Sequence, residues 1–329
     1  MAISVDFAQG EVNSFTSSGG VPTYSGDGVA FTVSRGGEAP QLTSVFYIMF
    51  GRVEVTMRAA PGRGIVSSLV LQSDDLDEID IEWLGADSAQ MQTNYFGKGQ
   101  TATYNRGQFN PAPNNQAEWT TYTIDWTQDR IVWYVAGTAV RTQTAADAGD
   151  QYPQTPMQVK FGSWSGGDPG NAPGTIEWAQ GPTDYSQGPF SMHVKNAVVT
   201  DYSTGKTYRY GDTSGRWESI ISDGGQINGN KDRAGNVIAT ATAAAATSLS
   251  PSIPAGGLGR GGGSTSTQTG WPWEPTGSRG SNPIPDGWIM TPEGKIVPVG
   301  AAGMSRTPNV FLLVGPLLVG VGLFVGRLL

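Results

Sequence analysis

The stretch GRVEVTMRAAPGRGIVSSLVLQSDDLDEIDIEWLG, residues 51–85, decides the fold. Its first eight positions, GRVEVTMR, alternate apolar and polar residues, the period of a strand with one buried face. Two further β-rich runs follow at 65–71 and 78–84, and Gly, Pro, Ser and Asp signal turns between them.

The same reading extends outward over residues 1–225. Runs at 122–126, 130–135 and 139–142 form a meander, with turns expected at Thr127-Gln128-Asp129 and at Gly137-Thr138. Runs at 157–164 and 190–201 bring the series to at least eight strands, and no amphipathic helix of usable length interrupts it. Ten Trp, eleven Tyr and 47 Gly in 329 residues suit a turn-rich β protein. The expectation is all-β: a two-sheet antiparallel sandwich over 1–225.

Composition excludes several function classes. A net charge of -8 offers no basic stripe for nucleic acid. Without cysteine there is no thiol nucleophile and no thiolate metal site. One histidine, His193, leaves a catalytic zinc without ligands, and no Gly-x-Ser-x-Gly elbow accompanies it. His193 is read as structural, and neither cofactor nor metal is expected.

Beyond residue 225 the composition shifts. Residues 239–286 are rich in Ala, Thr, Ser, Gly and Pro and bury too little apolar surface to fold. Residues 226–309 are read as a stalk, open to O-glycosylation but without an Asn-x-Ser/Thr sequon. Its RGGG at 260–263 is a single weak echo of nucleic-acid-binding repeats, and Trp271, Trp273 and Trp288 have no evident partner. The sixteen residues 310–325, VFLLVGPLLVGVGLFV, are apolar throughout. A spanning helix needs roughly twenty. The run suits the tail of a GPI signal at 310–329, with small residues at 300–303 and a short polar spacer between. An uncleaved tail anchor is the alternative. Such a tail requires secretion, yet residues 1–7 have no basic start and apolar run. The expectation is therefore an extracellular protein whose N-terminal portion is absent here.

Chemistry concentrates in Asp77-Glu78-Ile79-Asp80-Ile81-Glu82-Trp83. On a strand Glu78, Asp80 and Glu82 share one face, while Ile79, Ile81 and Trp83 face the core. Three like charges in a row destabilise a sheet, so packing alone gives no reason for them. The interleaved apolar residues argue against a solvated edge, and the run lacks the glycine and spacing of a calcium loop. The two Glu Cα atoms stand about 13 Å apart. Side chains leaning inward close this to the ~5–5.5 Å between carboxyls used in retaining glycoside hydrolysis. One carboxylate attacks the anomeric carbon and the other, kept protonated, protonates the departing oxygen. Asp80 between them can hydrogen-bond the nucleophile and help keep Glu82 protonated by like-charge repulsion.

At these residues the chain resembles glycoside hydrolase family sixteen, with its Glu-x-Asp-x-(x)-Glu signature on a concanavalin-like jelly roll. Within that family it resembles the fungal Crh cell-wall transglycosylases. The likeness runs through residues 51–85, NYFGKG at 94–99, GSWSGGDPGN at 162–171 and GTIEWAQG at 174–181, and covers roughly 5–225. It implies Glu78 as nucleophile, Asp80 as its assistant and Glu82 as acid/base. It also implies transfer of chitin chains to β-glucan in the wall and a GPI anchor. Family members normally carry a secretion signal and N-terminal cysteines, often with a chitin-binding module; this chain has none of them.

Sugar rings present apolar faces, so a polysaccharide cleft needs aromatic platforms. Trp178 and Trp164 are the first candidates, then Tyr95 and Phe96, with strand alternation sending about half to the core. Glu177 faces opposite to Trp178 if that stretch is extended. Three functions stay open: a monomeric transglycosylase acting on wall polysaccharide, a hydrolytic β-glucanase or chitinase, and a non-catalytic lectin-like wall protein. The intact triplet weighs against the third.

Overall fold

The computed structural model describes residues 2–101 and 105–233, and beyond them the strands Ile238–Ala241, Gly257–Leu258, Trp288–Met290 and Ile296–Pro298. Most of the expected stalk and the apolar run at 310–325 lie outside the described residues. The chain forms two compact units, Met1–Pro283 and Ile284–Leu329. In the second, Trp288 opens a strand paired antiparallel with Ile296–Pro298.

Two large sheets build the first unit. The larger runs in the order Thr138–Thr144, Arg130–Val135, Thr120–Trp126, Gly51–Arg58, Phe190–Asp201, Ala2–Asp6 and Ile238–Ala241. Gly28–Val33 also pairs with Phe190–Asp201 and carries Thr23–Ser25. The smaller sheet runs Gln108–Pro111, Gln90–Phe96, Glu78–Leu84, Ile65–Ser73, Met157–Ser165, Gln41–Ser44 and Phe15–Ser18. Neighbours are antiparallel in both sheets except at Ile238–Ala241, which lies parallel to Ala2–Asp6. That strand falls within residues 226–309, the stretch read as a stalk. The expected jelly-roll sandwich is the architecture found.

Gly51–Arg58 shows the predicted alternation, with Val53, Val55 and Met57 in the core and Arg52, Glu54, Thr56 and Arg58 turned outward. Ile79, Ile81 and Trp83 face the same core, as their spacing predicted. Between the sheets Phe161 meets the rings of Phe7, Phe15 and Phe31 at 5.7, 5.2 and 5.9 Å, and Trp83 meets Tyr122 at 4.6 Å. Tilted and edge-to-face rings of this kind add to the large apolar area that each buries.

Turn chemistry fixes the meander. Thr127 Oγ1 accepts the backbone N–H groups of Asp129 and Arg130, closing the expected turn. The next turn falls one residue earlier than expected, at Ala136-Gly137, where both residues have positive φ (48° and 79°). A two-residue hairpin of this hand needs positive φ at both central positions, and Gly137 supplies the second without strain. The stretch around Trp178 is helical over Pro173–Trp178, with the proline in the first turn, where its missing N–H costs nothing.

One feature of the fold departs from a half-exposed sheet. All seven residues of Glu78–Leu84 are buried, and so are all nine of Ile65–Ser73. The carboxylate face therefore carries cover of its own. Part of it is a second apolar cluster, in which Val66, Val70, Leu84, Trp164, Ala39 and Ala179 pack with Trp178 against them.

Candidate active site

Register places residues of three strands in rows. Glu78 lies opposite Gln72 on one side and Phe96 on the other; Asp80 lies between Val70 and Asn94; Glu82 lies between Ser68 and Gln92. Because facing residues in a ladder project to the same side, these rows make one continuous surface. On it Glu78, Asp80 and Glu82 are 4, 1 and 4 % exposed.

Burial dominates their electrostatics. Removing a carboxylate from water disfavours its charge, so each of the three pKa values moves up. Glu78 rises to about 7 through desolvation, held back by the hydrogen bond from Gln72 and the nearby charge of Lys160. Glu82 rises to about 8 through desolvation and the charge of Glu78. Asp80 rises well above the ordinary range through desolvation and its two carboxyl neighbours.

Hydrogen bonding separates the roles. Gln72 Nε2 donates to Glu78 Oε2 at 2.8 Å, and Ser68 Oγ donates to Glu82 Oε1 at 3.3 Å. Ionised, Asp80 would bury both oxygens without a donor. Protonated, it donates to the Glu78 carboxylate, which favours the charged form of Glu78. The arrangement consistent with all three environments is an ionised Glu78, a neutral Asp80 and a neutral Glu82. From the core side, Trp133 Nε1 donates to the Asp80 carbonyl at 3.2 Å and pins the strand at its middle residue. Asp77 fixes the strand's start: its carboxylate accepts from the backbone N–H of Lys98 and Gln154 and from Thr155 Oγ1.

The aromatic candidates divide. Trp178 is half-buried on the carboxylate face, and its Nε1 donates at 3.1 Å to Gln92 Oε1, the residue opposite Glu82. Trp164 stacks with it at 6.2 Å and 25°, while its own Nε1 donates to Ser68 Oγ at 3.3 Å. Trp164 is nearly enclosed, so Trp178 holds the accessible indole of the pair. Phe96 shares the Glu78 row but is buried, with the Arg106 guanidinium 4.8 Å over its ring. Tyr95 is a correction: it lies opposite Ile79 and packs in the core. Adjacent strand residues point to opposite faces, so Tyr95 and Phe96 could not both have served the cleft.

His193 lies in the other sheet, on its outward side, opposite Ala30 and Arg58. Burial and the Arg58 charge lower its pKa. Sequence reasoning missed Gln72, Ser68, Gln92 and Lys160. Ser68 and Gln72 stand two positions either side of Val70, on the same strand face. They join the site only through their ladder partners Glu82 and Glu78, and no local motif marks them.

A buried carboxylate triplet on the face of a jelly roll is the frame of a glycan-cleaving enzyme. The chain belongs to the glycosyl hydrolases of family 16, whose family model matches residues 9–180. Its relatives there are Crh-like proteins. It is 58% identical to Crh-like protein 4 of Botryotinia fuckeliana over 326 residues, covering 96% of this chain and 85% of that protein. It is 50% identical to Crh-like protein 4 of Aspergillus fumigatus over 315 residues, covering 93% and 69%. Among solved structures, a Crh5 transglycosylase in complex with NAG is 49% identical with a TM-score of 0.66, covering 68% of this chain and 92% of that one. A Bacillus licheniformis beta-glucanase, 23% identical with a TM-score of 0.51 over 61% of this chain and 98% of its own, shares the fold. By class the chain is a glycosidase or transglycosylase.

Between about pH 4 and pH 8 the native Glu82 carboxyl holds a proton that the unfolded chain has already released. Stability therefore falls as pH rises through that window. Glu82→Gln is expected to stabilise the fold by about 1–3 kcal/mol at pH 8 and to change it little at pH 4. Urea unfolding at the two pH values measures this, and an equal effect at both would show that burial does not hold Glu82 protonated.

Proposed function

We propose that this protein is a retaining transglycosylase of the fungal cell wall that cleaves chitin-type β-1,4 chains and transfers them to β-glucan. The observation that carries the reading is the single buried row of Glu78, Asp80 and Glu82 on one strand face, each with a different set of hydrogen-bond donors. The NAG complex of the Crh5 transglycosylase supports the substrate class.

In the first step a Glu78 carboxylate oxygen attacks the anomeric carbon and forms a glycosyl ester. The bond from that carbon to the glycosidic oxygen breaks, and the departing oxygen takes the Glu82 proton. Asp80 gives its hydrogen bond to the Glu78 carboxylate beforehand, so attack begins from an ordered anion. In the second step an acceptor hydroxyl yields its proton to the now ionised Glu82, and its oxygen attacks the anomeric carbon. Glu78 leaves as carboxylate. Water in place of the acceptor gives hydrolysis by the same route, and configuration is retained either way. Trp178, beside the Glu82 end of the row, offers its indole face to a sugar ring on that side.

The sequence pattern at 300–325 supports a further proposal, attachment by a GPI anchor to the outer face of the plasma membrane or to the wall. The chain fused behind a secretion signal should be released from membranes by phosphatidylinositol-specific phospholipase. Retention in the membrane after treatment would favour an uncleaved tail.

Glu78→Gln should abolish transfer and hydrolysis when chitin oligosaccharides and a labelled glucan acceptor are supplied. Activity above a few per cent in a clean preparation would remove it from the nucleophile role. Glu82→Gln should be as harmful on natural linkages but milder where the leaving group needs no proton, and equal loss on both would deny its acid role. Labelled hydrolysis products without glucan conjugates would make the protein a hydrolase instead.

Trp178→Ala should weaken oligosaccharide turnover at least tenfold with the thermal midpoint nearly unchanged. A markedly lowered midpoint would make the indole a packing element.

A further inference from the structure

The carboxylate face also carries a buried cation that the two-step scheme does not use. Lys160 is 4 % exposed, on the strand Met157–Ser165, opposite Val70 and Thr43. Among the described residues no carboxylate lies within ion-pair distance of it. Its Nζ instead donates to Gln72 Oε1 at 2.7 Å, and Gln72 Nε2 donates onward to Glu78 Oε2 at 2.8 Å.

The chemistry of these groups fixes the direction of the relay. An ammonium can only donate, so it must meet the amide oxygen. The amide nitrogen is then left facing Glu78, where it can only donate. A carboxylate accepts such a bond in either of its oxygens, and the bond favours its charged form. Turned by 180°, the same amide would present its oxygen to Glu78 and favour a protonated carboxyl. It would also set its own NH₂ against the ammonium, and that clash of donors opposes the turn.

We propose that Lys160 is a positioning residue that locks the Gln72 amide in one orientation and so keeps Glu78 ionised and aimed along the row. The inference rests on the reading of Glu78 as nucleophile. The titratable groups on the Lys160 side are Glu78, Asp80 and Glu82, one strand beyond Ile65–Ser73, and Asp74 just after the end of Ile65–Ser73; Gln41–Ser44 on its other side contributes none. Burial lowers the Lys160 pKa to about 8, with Glu78 and Asp74 opposing the shift. The cation and the oriented amide both hold the Glu78 pKa down against desolvation. Removing either therefore raises it, and the acid limb of activity moves to higher pH.

The full chain carrying Lys160→Met or Gln72→Met tests this, with Lys160→Arg as the charge-keeping control. Two quantities are read: titration of the Glu78 carboxyl by carbon-13 NMR without substrate, and the pH profile of kcat/KM on a chitin oligosaccharide. Both Met variants should raise the Glu78 titration and the acid limb by about one pH unit, a roughly tenfold loss below the limb. Lys160→Arg should restore the wild-type limb. If Lys160→Met does not fold, as judged by circular dichroism, Gln72→Met bears the test alone. An unmoved Glu78 titration in a folded variant overturns the relay. A titration that moves while the acid limb stays fixed upholds the relay and overturns the nucleophile reading.

Discussion

Desolvation of three carboxyls on one row is the constraint on which the site depends. Each would ionise in water at ordinary pH, and each is held where ionisation is costly. A row of three identical environments would be useless for acid–base work. The surroundings differ instead: Glu78 receives the Gln72 amide and a nearby cation, Asp80 has no donor of its own, and Glu82 has a long bond from Ser68. Small differences in donors, imposed on a common burial, divide one kind of side chain into distinct protonation states.

The fold supplies that burial from both sides. Beneath the strand, the core residues Ile79, Ile81 and Trp83 are fully enclosed between the sheets. Above it, the apolar cluster around Val66, Val70, Leu84 and Trp164 occupies the same face as the carboxylates. The Trp133 indole bond to the Asp80 carbonyl joins the two sheets at the middle of the row. Packing, hydrogen bonding and acidity are thus properties of one seven-residue strand.

Alternation made the sheets legible. Gly51–Arg58, Glu78–Leu84, Arg130–Val135 and Phe190–Asp201 have the bounds their period-two pattern indicates, because one face of each meets an apolar core. The run at 65–71 extends to Ser73, since buried Gln72 and Ser73 look like a turn until their partners across the ladder are known. The triplet was legible because its residues are local in sequence. Lys160 and Gln72 were not: a polar residue alternating on a strand reads as solvent-facing, and only the register shows that this face is covered. Tyr95 was misjudged for the reverse reason, an aromatic near the motif but on the wrong parity. The helix at Trp178 escaped notice because six residues are too few for a helical period to declare itself.

The two sheets differ in one further respect. Register slips interrupt the larger sheet between Trp133 and Tyr134 and between Val194 and Asn196, whereas the ladders on either side of Glu78–Leu84 run without a break. One residue added between Glu78 and Glu82 would reverse the parity of everything beyond it, turning an acid into the apolar interior. Only a bulge that took up the extra residue would restore the pattern. The optional position in Glu-x-Asp-x-(x)-Glu therefore demands a bulge wherever it is filled. Here it is empty, and the strand keeps its acids in line by count alone.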